Sequence, residues 1–241
     1  MLIAAGVPIL STAALAALGY VSVSPRSRFW GPVVPTGDAS APPRYALTFD
    51  DGPCDNATPR ILDILADLNA RATFFIIGVN AQRFPHIVRR IYDQGHIVAN
   101  HSYTHSHFGI MRAGWYWDRQ IRQTDALLRD IIGVKPAFFR PPMGARHLHL
   151  TRAARRHGHT IVTWSRRAMD GLPTTPERIV HRLSHNTTPG EILLMHDGID
   201  PNRHRDPTPS INAVKPLIQQ LRHQGLEPTP LNELIKIPPY A

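Results

Sequence analysis

Two histidines four residues apart, His101 and His105 in the run His-Ser-Tyr-Thr-His, are of a type and spacing that can hold a metal. On one side of a helical turn, or in a tight loop, two imidazoles so spaced can meet a single cation. Many pairs of surface histidines share that spacing, so a third ligand decides its meaning. Asp50 and Asp51 offer one. They end the β-rich run YALTF at 45–49, and unpaired carboxylates at the end of a buried strand are costly. Their competing role is a capping turn ahead of Gly52-Pro53. Two histidines with one carboxylate leave coordination positions open, as a catalytic cation requires and a structural one does not. Zinc suits such a donor set; cobalt, nickel, manganese and iron suit it as well.

The elements that must position these residues begin at Arg44. Strand-like runs at 45–49, 72–77, 97–99, 137–140, 160–164 and 191–195 alternate with helical stretches near 84–94, 118–132, 147–157, 176–185 and 211–223. Thr58-Pro59 opens a further helix with Ile61, Ile64, Leu65 and Leu68 on one face. Gly95, Gly133, Gly158 and Gly225 each stop a helix just before the chain turns extended. About seven strands alternating with helices predict a parallel α/β sheet or barrel. In such folds functional residues gather where strands end. Asp50 and Asp51 follow the first strand, His101 and His105 the third, Asp170 the fifth and His196 the sixth, while Arg140 ends the fourth.

Thr48-Phe49-Asp50-Asp51-Gly52-Pro53 (TFDDGP), then HSYTH at 101–105, RPPMG at 140–144, the stretch from Trp164 to Asp170 and Leu194-Met195-His196 stand in one order. That series resembles the NodB-type polysaccharide deacetylases, carbohydrate esterase family 4, and the resemblance spans 44–236. It implies a distorted (β/α) barrel of about seven parallel strands. The implied activity is metal-dependent hydrolysis of an N- or O-acetyl group, most often from an N-acetylglucosamine unit. Carried over by position, Asp51, His101 and His105 bind the divalent metal, zinc foremost. Asp50 is the general base, Arg140 pairs with it, and His196 is the general acid with Asp170 behind its imidazole. The backbone N–H of Met143 meets the oxyanion, and Pro141, Trp164 and Leu194 join Met143 around the substrate. The division is chemically sensible: a cation activates water and polarises the carbonyl, a neighbouring carboxylate takes the proton, and an acid releases the amine.

Three positions depart from the family pattern. Met143 stands where Tyr or Phe is usual. In the fourth motif Arg167 replaces the first acid, and Gly171 the Trp after Asp170. Cys54, three residues past Asp51, reads as a small packed residue; the alternatives are a fourth, soft ligand or a redox handle. Trp115 and Trp117 either stack on a sugar ring or cap the barrel.

Composition narrows the partners. The chain has 241 residues, 42% hydrophobic and 19% charged, which fits one globular domain. A single cysteine excludes an intrachain disulfide and multi-thiolate zinc sites. The net charge of +9 is scattered, with no arginine-aromatic module for nucleic acid. Leu2 to Ser24 lacks any charged side chain and, as a helix, spans about 34 Å. Residues 1–24 therefore predict a membrane anchor or a cleaved signal segment leading to a secreted form. Residues 25–43 predict a linker and 44–241 the catalytic domain. Arg26 and Arg28 are too few to assign a membrane side. The expected substrate is an aminosugar of a polysaccharide or a lipid-linked saccharide. Alternatives are a deformylase or other amidohydrolase acting on non-peptide C–N bonds, a catalytically inactive glycan-binding module, and a basic membrane-surface protein.

Overall fold

The computed structural model describes residues 6–40, 42–198, 200 and 206–241. In chain order the strands are β1 (Arg44–Asp50), β2 (Thr73–Ile76), β3 (Ile97–Asn100), β4 (Phe138–Phe139), β5 (Thr160–Ile161), β6 (Arg166–Arg167), β7 (Ile192–His196) and β8 (Glu227–Pro228). The first seven form one parallel sheet in the order β5-β4-β3-β2-β1-β7-β6, and β8 pairs with the start of β1. The sheet curls into a part-closed barrel with helices outside it, the expected architecture.

Both faces of the central strands are buried, which explains their near-continuous apolar runs. Tyr45, Leu47 and Phe49 of β1, with Phe74 of β2 and Leu193 and Met195 of β7, face the core shared with the outer helices. Their alternates Ala46, Phe75, Ile192 and Leu194 fill the barrel interior with Phe138 and Trp164. Thr48 and Asp50 share the parity of Ala46, and His196 that of Leu194, so the same period of two that packs the barrel brings polar groups inward near its end.

Outside lie helices including α2 (Thr58–Asp67), α5 (Gly114–Ile132) and α8 (Thr208–His223). On α5, Trp117, Ile121, Thr124, Leu128 and Ile132 are buried at helical spacing, and the helix begins four residues before the expected 118. The four glycine stops all have φ between 77° and 84°. Strand β6 has no pattern to announce it: two arginines extend along β7, pairing Arg166 with Leu193 and Arg167 with Leu194.

The amino-terminal segment departs from expectation. Helix α1 (Gly6–Val23) has 18 residues, and no helix among the described residues is long and apolar enough to cross a membrane. The membrane anchor is therefore not supported. Pro8, Ser11 and Thr12 dilute the apolarity of that segment. Residues 1–5 of the expected segment lie outside the described residues.

The end of α1 and the chain after it hold to the barrel and to each other. Arg146 N donates to Ser22 O at 2.8 Å, Thr163 Oγ1 donates to Pro25 O at 2.8 Å, and Trp30 Nε1 donates to Ser22 Oγ at 2.9 Å. Phe29 stays exposed, whereas Val33 is buried. Val34 bridges Val162 in parallel and Thr36 bridges Glu191 antiparallel, so residues 34–36 lie between the ends of β5 and β7. A fragment beginning at Arg44 loses all of these contacts. It should melt about 10 °C or more below the full chain by scanning calorimetry, the equivalent of roughly 3 kcal/mol or more of lost burial and hydrogen bonding.

Candidate active site

The barrel interior contains a fully buried cation. Arg140 follows β4, and NH1 of its guanidinium donates to Asp50 Oδ1 at 2.6 Å and to Thr48 Oγ1 at 2.8 Å. Its Nε donates to Val162 O at 3.3 Å and its NH2 to Thr163 O at 2.9 Å, while the guanidinium carbon lies 3.9 Å from the Phe75 ring centre. Burial lowers the arginine pKa, and Asp50 works against that. Asp50 thus has one oxygen committed to Arg140; its other, Oδ2, lies 3.8 Å from His101 Nε2.

Asp51, beyond the end of β1, turns with φ 73°. Two close backbone approaches fix that turn. A Cβ on Gly52 would come 2.2 Å from Asp197 Oδ2, and one on Gly198 2.1 Å from Asp51 O, so neither position admits a side chain. Asp51 Oδ1 is buried and has no hydrogen-bond partner. It faces His101 Nε2 at 3.5 Å and His105 Nε2 at 3.3 Å. Burial raises the Asp51 pKa, but the imidazoles of His105, His101 and His196 outweigh it and hold the carboxyl below its ordinary range. The loop 101–105 is a tight one, with Ser102 and His105 at φ 67° and 50°. Gln120 of α5 secures it: its Oε1 accepts from the backbone N–H groups of Tyr103 at 3.0 Å and Thr104 at 2.8 Å. His101 Nδ1 lies 2.7 Å from Arg140 O; a carbonyl only accepts, so Nδ1 carries the proton and the Nε2 lone pair points at the aspartates. An orphaned carboxylate oxygen and two convergent imidazole nitrogens, all within 4.8 Å of one another, fit a divalent cation.

On the opposite wall His196 Nε2 stands 4.0 Å from Asp51 Oδ2. Its Nδ1 lies 2.7 Å from Asp170 Oδ1, and Asp170 Oδ2 accepts from His196 N at 3.0 Å and from Ser210 Oγ at 2.7 Å. Arg167, in the altered fourth motif, is exposed. Met143, Trp164 and Leu194 line the pocket, and Met143 has φ 54°. Pro141 is buried beneath this loop and does not line it. Gly171 opens the wall, since a Cβ there would meet nothing within 4 Å. Of the paired tryptophans, Trp117 is core, donating to Gly109 O at 3.1 Å, and Trp115 is exposed. Cys54 is buried, with Sγ 2.9 Å from Asn56 Oδ1, and belongs to none of the metal-capable groups among the described residues.

Several residues near the site escape a reading of the sequence. Asp200 Oδ2 lies 3.2 Å from His105 Nδ1 and pairs with His107 Nε2. Asp197 is fully buried, accepts from Thr58 Oγ1 at 2.7 Å and has its pKa raised to about 7. Burial is the main cause, offset in part by Thr58 and reinforced by Asp51 and Asp50. Gln120 hides within an ordinary helical face. Only Asp197 carried a local signal, by adjacency to His196.

Two outcomes follow from these environments. Arg140→Ala leaves Asp50 buried without its cation and should cost about 3–5 kcal/mol in urea unfolding. Asp197 holds its proton more tightly folded than unfolded. Its contribution to stability is full below about pH 4 and declines as pH rises to about 7. In metal-stripped protein the unfolding free energy of Asp197→Asn, relative to the unsubstituted chain, should therefore rise with pH across that interval; a flat difference would show that Asp197 titrates normally.

Residues 38–162 match the polysaccharide deacetylase family. A peptidoglycan-N-acetylglucosamine deacetylase of Bacillus cereus is 37% identical over 180 residues, covering 75% of this chain and 64% of that protein. A chitooligosaccharide deacetylase of Bradyrhizobium sp. (strain ANU 289) is 32% identical, covering 82% of this chain and 93% of its own length. The crystal structure of the Bc1960 peptidoglycan N-acetylglucosamine deacetylase, in complex with 4-naphthalen-1-yl-N-oxidanyl-benzamide, is 32% identical. It superposes with a TM-score of 0.80 over 87% of this chain and 95% of that one. On the matched family, these relatives and the shared barrel, the chain belongs to the polysaccharide deacetylase family.

Proposed function

We propose that this protein hydrolyses the N-acetyl group of an N-acetylglucosamine-type aminosugar carried in a glycan, releasing acetate and the free amine. The observation that carries this reading is the partnerless Asp51 Oδ1, faced by two imidazole nitrogens and flanked by an aspartate that a buried arginine holds apart. The relatives' substrates, peptidoglycan and chitooligosaccharide, support the choice of glycan.

Asp51, His101 and His105 would hold a divalent cation, with zinc suited to the donor set and cobalt a fair replacement. That cation, when bound, lowers the pKa of water and polarises the acetyl carbonyl. Asp50 is the general base: Arg140 occupies Oδ1, leaving Oδ2 to receive the proton of the attacking water. The oxygen of that water joins the carbonyl carbon, and the backbone N–H of Met143 donates to the oxyanion that forms. As the C–N bond breaks, His196 gives the departing nitrogen a proton from Nε2, while Asp170 on Nδ1 keeps the ring aligned. Trp164 and Leu194 offer apolar surface to the acetyl methyl group.

Acetate release from an N-acetylglucosamine oligomer tests the reading. Metal-stripped protein should release none and recover with zinc or cobalt. Asp50→Asn should lose about 100-fold or more in kcat yet keep its zinc, whereas His105→Ala should lose zinc and turnover together. Undiminished release by the stripped protein, or full turnover in Asp50→Asn, would overturn the proposal.

A further inference from the structure

We infer that Asp200 is a positioning residue whose carboxylate accepts a hydrogen bond from the Nδ1–H of His105 and holds that ring with Nε2 turned to Asp51 and His101. The inference rests on the cation seat proposed above. His105 is 4% exposed, and its Nδ1 makes no aligned hydrogen bond; the Asp200 carboxylate, itself 8% exposed, lies 3.2 Å away. The contact is close, at an angle short of an aligned hydrogen bond.

His105, His107 and Asp200 present donor atoms near enough to hold an ion of their own. Valence decides between the two uses. A neutral imidazole has one nitrogen lone pair. If Nε2 of His105 gives its pair to a cation beside Asp51, Nδ1 keeps the proton and can only donate. A carboxylate 3.2 Å away is then its acceptor and not a fellow ligand. His101 follows the same rule, with its Nδ1 against Arg140 O. The two ligands differ in what stands behind them: a neutral carbonyl for His101, an anionic carboxylate for His105. The carboxylate makes His105 the stronger donor of the pair. His107, bound to the same Asp200 oxygen, adds a second hold on the carboxylate.

The test reads zinc binding without turnover. Zinc dissociation constants by chelator competition, and cobalt absorption spectra, would be compared for the unsubstituted chain, Asp200→Ala and Asp200→Asn. Asp200→Ala should bind zinc about 10- to 100-fold more weakly, with an altered cobalt spectrum and little change in metal-free melting. Asp200→Asn keeps an acceptor oxygen without the charge, should fall between, and serves if the alanine variant does not fold. Zinc affinity and cobalt spectra unchanged in both variants would overturn the inference alone. Two zinc equivalents in the unsubstituted chain and one in Asp200→Ala would also overturn it, making Asp200 a ligand of a second seat. No stoichiometric zinc in the unsubstituted chain would remove the proposed cation seat and the inference together.

Discussion

The site depends on one buried cation. Arg140 brings a full positive charge inside a barrel lined by Phe75 and Trp164, which is tolerable because its guanidinium meets an aspartate, a hydroxyl and two carbonyls. These partners come from β1 and from the chain just beyond β5, so a single side chain ties strands far apart in sequence. The same residue's carbonyl receives His101 Nδ1. Arg140 therefore sets the orientation of Asp50 through its side chain and the tautomer of the neighbouring imidazole through its backbone carbonyl.

Carboxylates crowd in and behind the pocket, and their environments separate their roles. Asp50 is matched by Arg140, and Asp170 by a histidine and a serine hydroxyl. Asp51 faces imidazoles and keeps an unpartnered oxygen, which leaves it the carboxylate able to meet a cation. Asp197, buried beside these charges with one hydroxyl partner, resolves the conflict by holding its proton up to about pH 7. Neighbouring acids thus end in different protonation and bonding states without any difference in residue type.

The segment before β1 contributes at a distance. Thr163 links it to the site: its carbonyl accepts from Arg140, its hydroxyl donates to Pro25 O and its N–H donates to Val34 O. A stretch without helical or strand periodicity supports the acceptor that the buried guanidinium needs. Reading residues 1–24 as a membrane anchor followed from their lack of charge; no helix among the described residues is long and apolar enough to sustain it.

Much of this protein was legible in its residues. Strand and helix alternation, the apolar face of α5, the glycine stops and the Asp-Asp and His-x-x-x-His runs are local patterns with fixed periods, and each lies close to where those periods put it. Tertiary structure alone decided the rest. Strand β6 is two arginines that extend because β7 offers them partners, and residues 34–36 join the barrel because its edges leave a place for them. Gln120 looks like any polar residue on a helix until the histidine loop is laid across it. Asp200 reaches His105 from 95 positions away, between residues that say nothing about it. Local period can be read from neighbours along the chain. The pairing of distant groups depends on how the chain folds back, and a sequence carries no local mark of that.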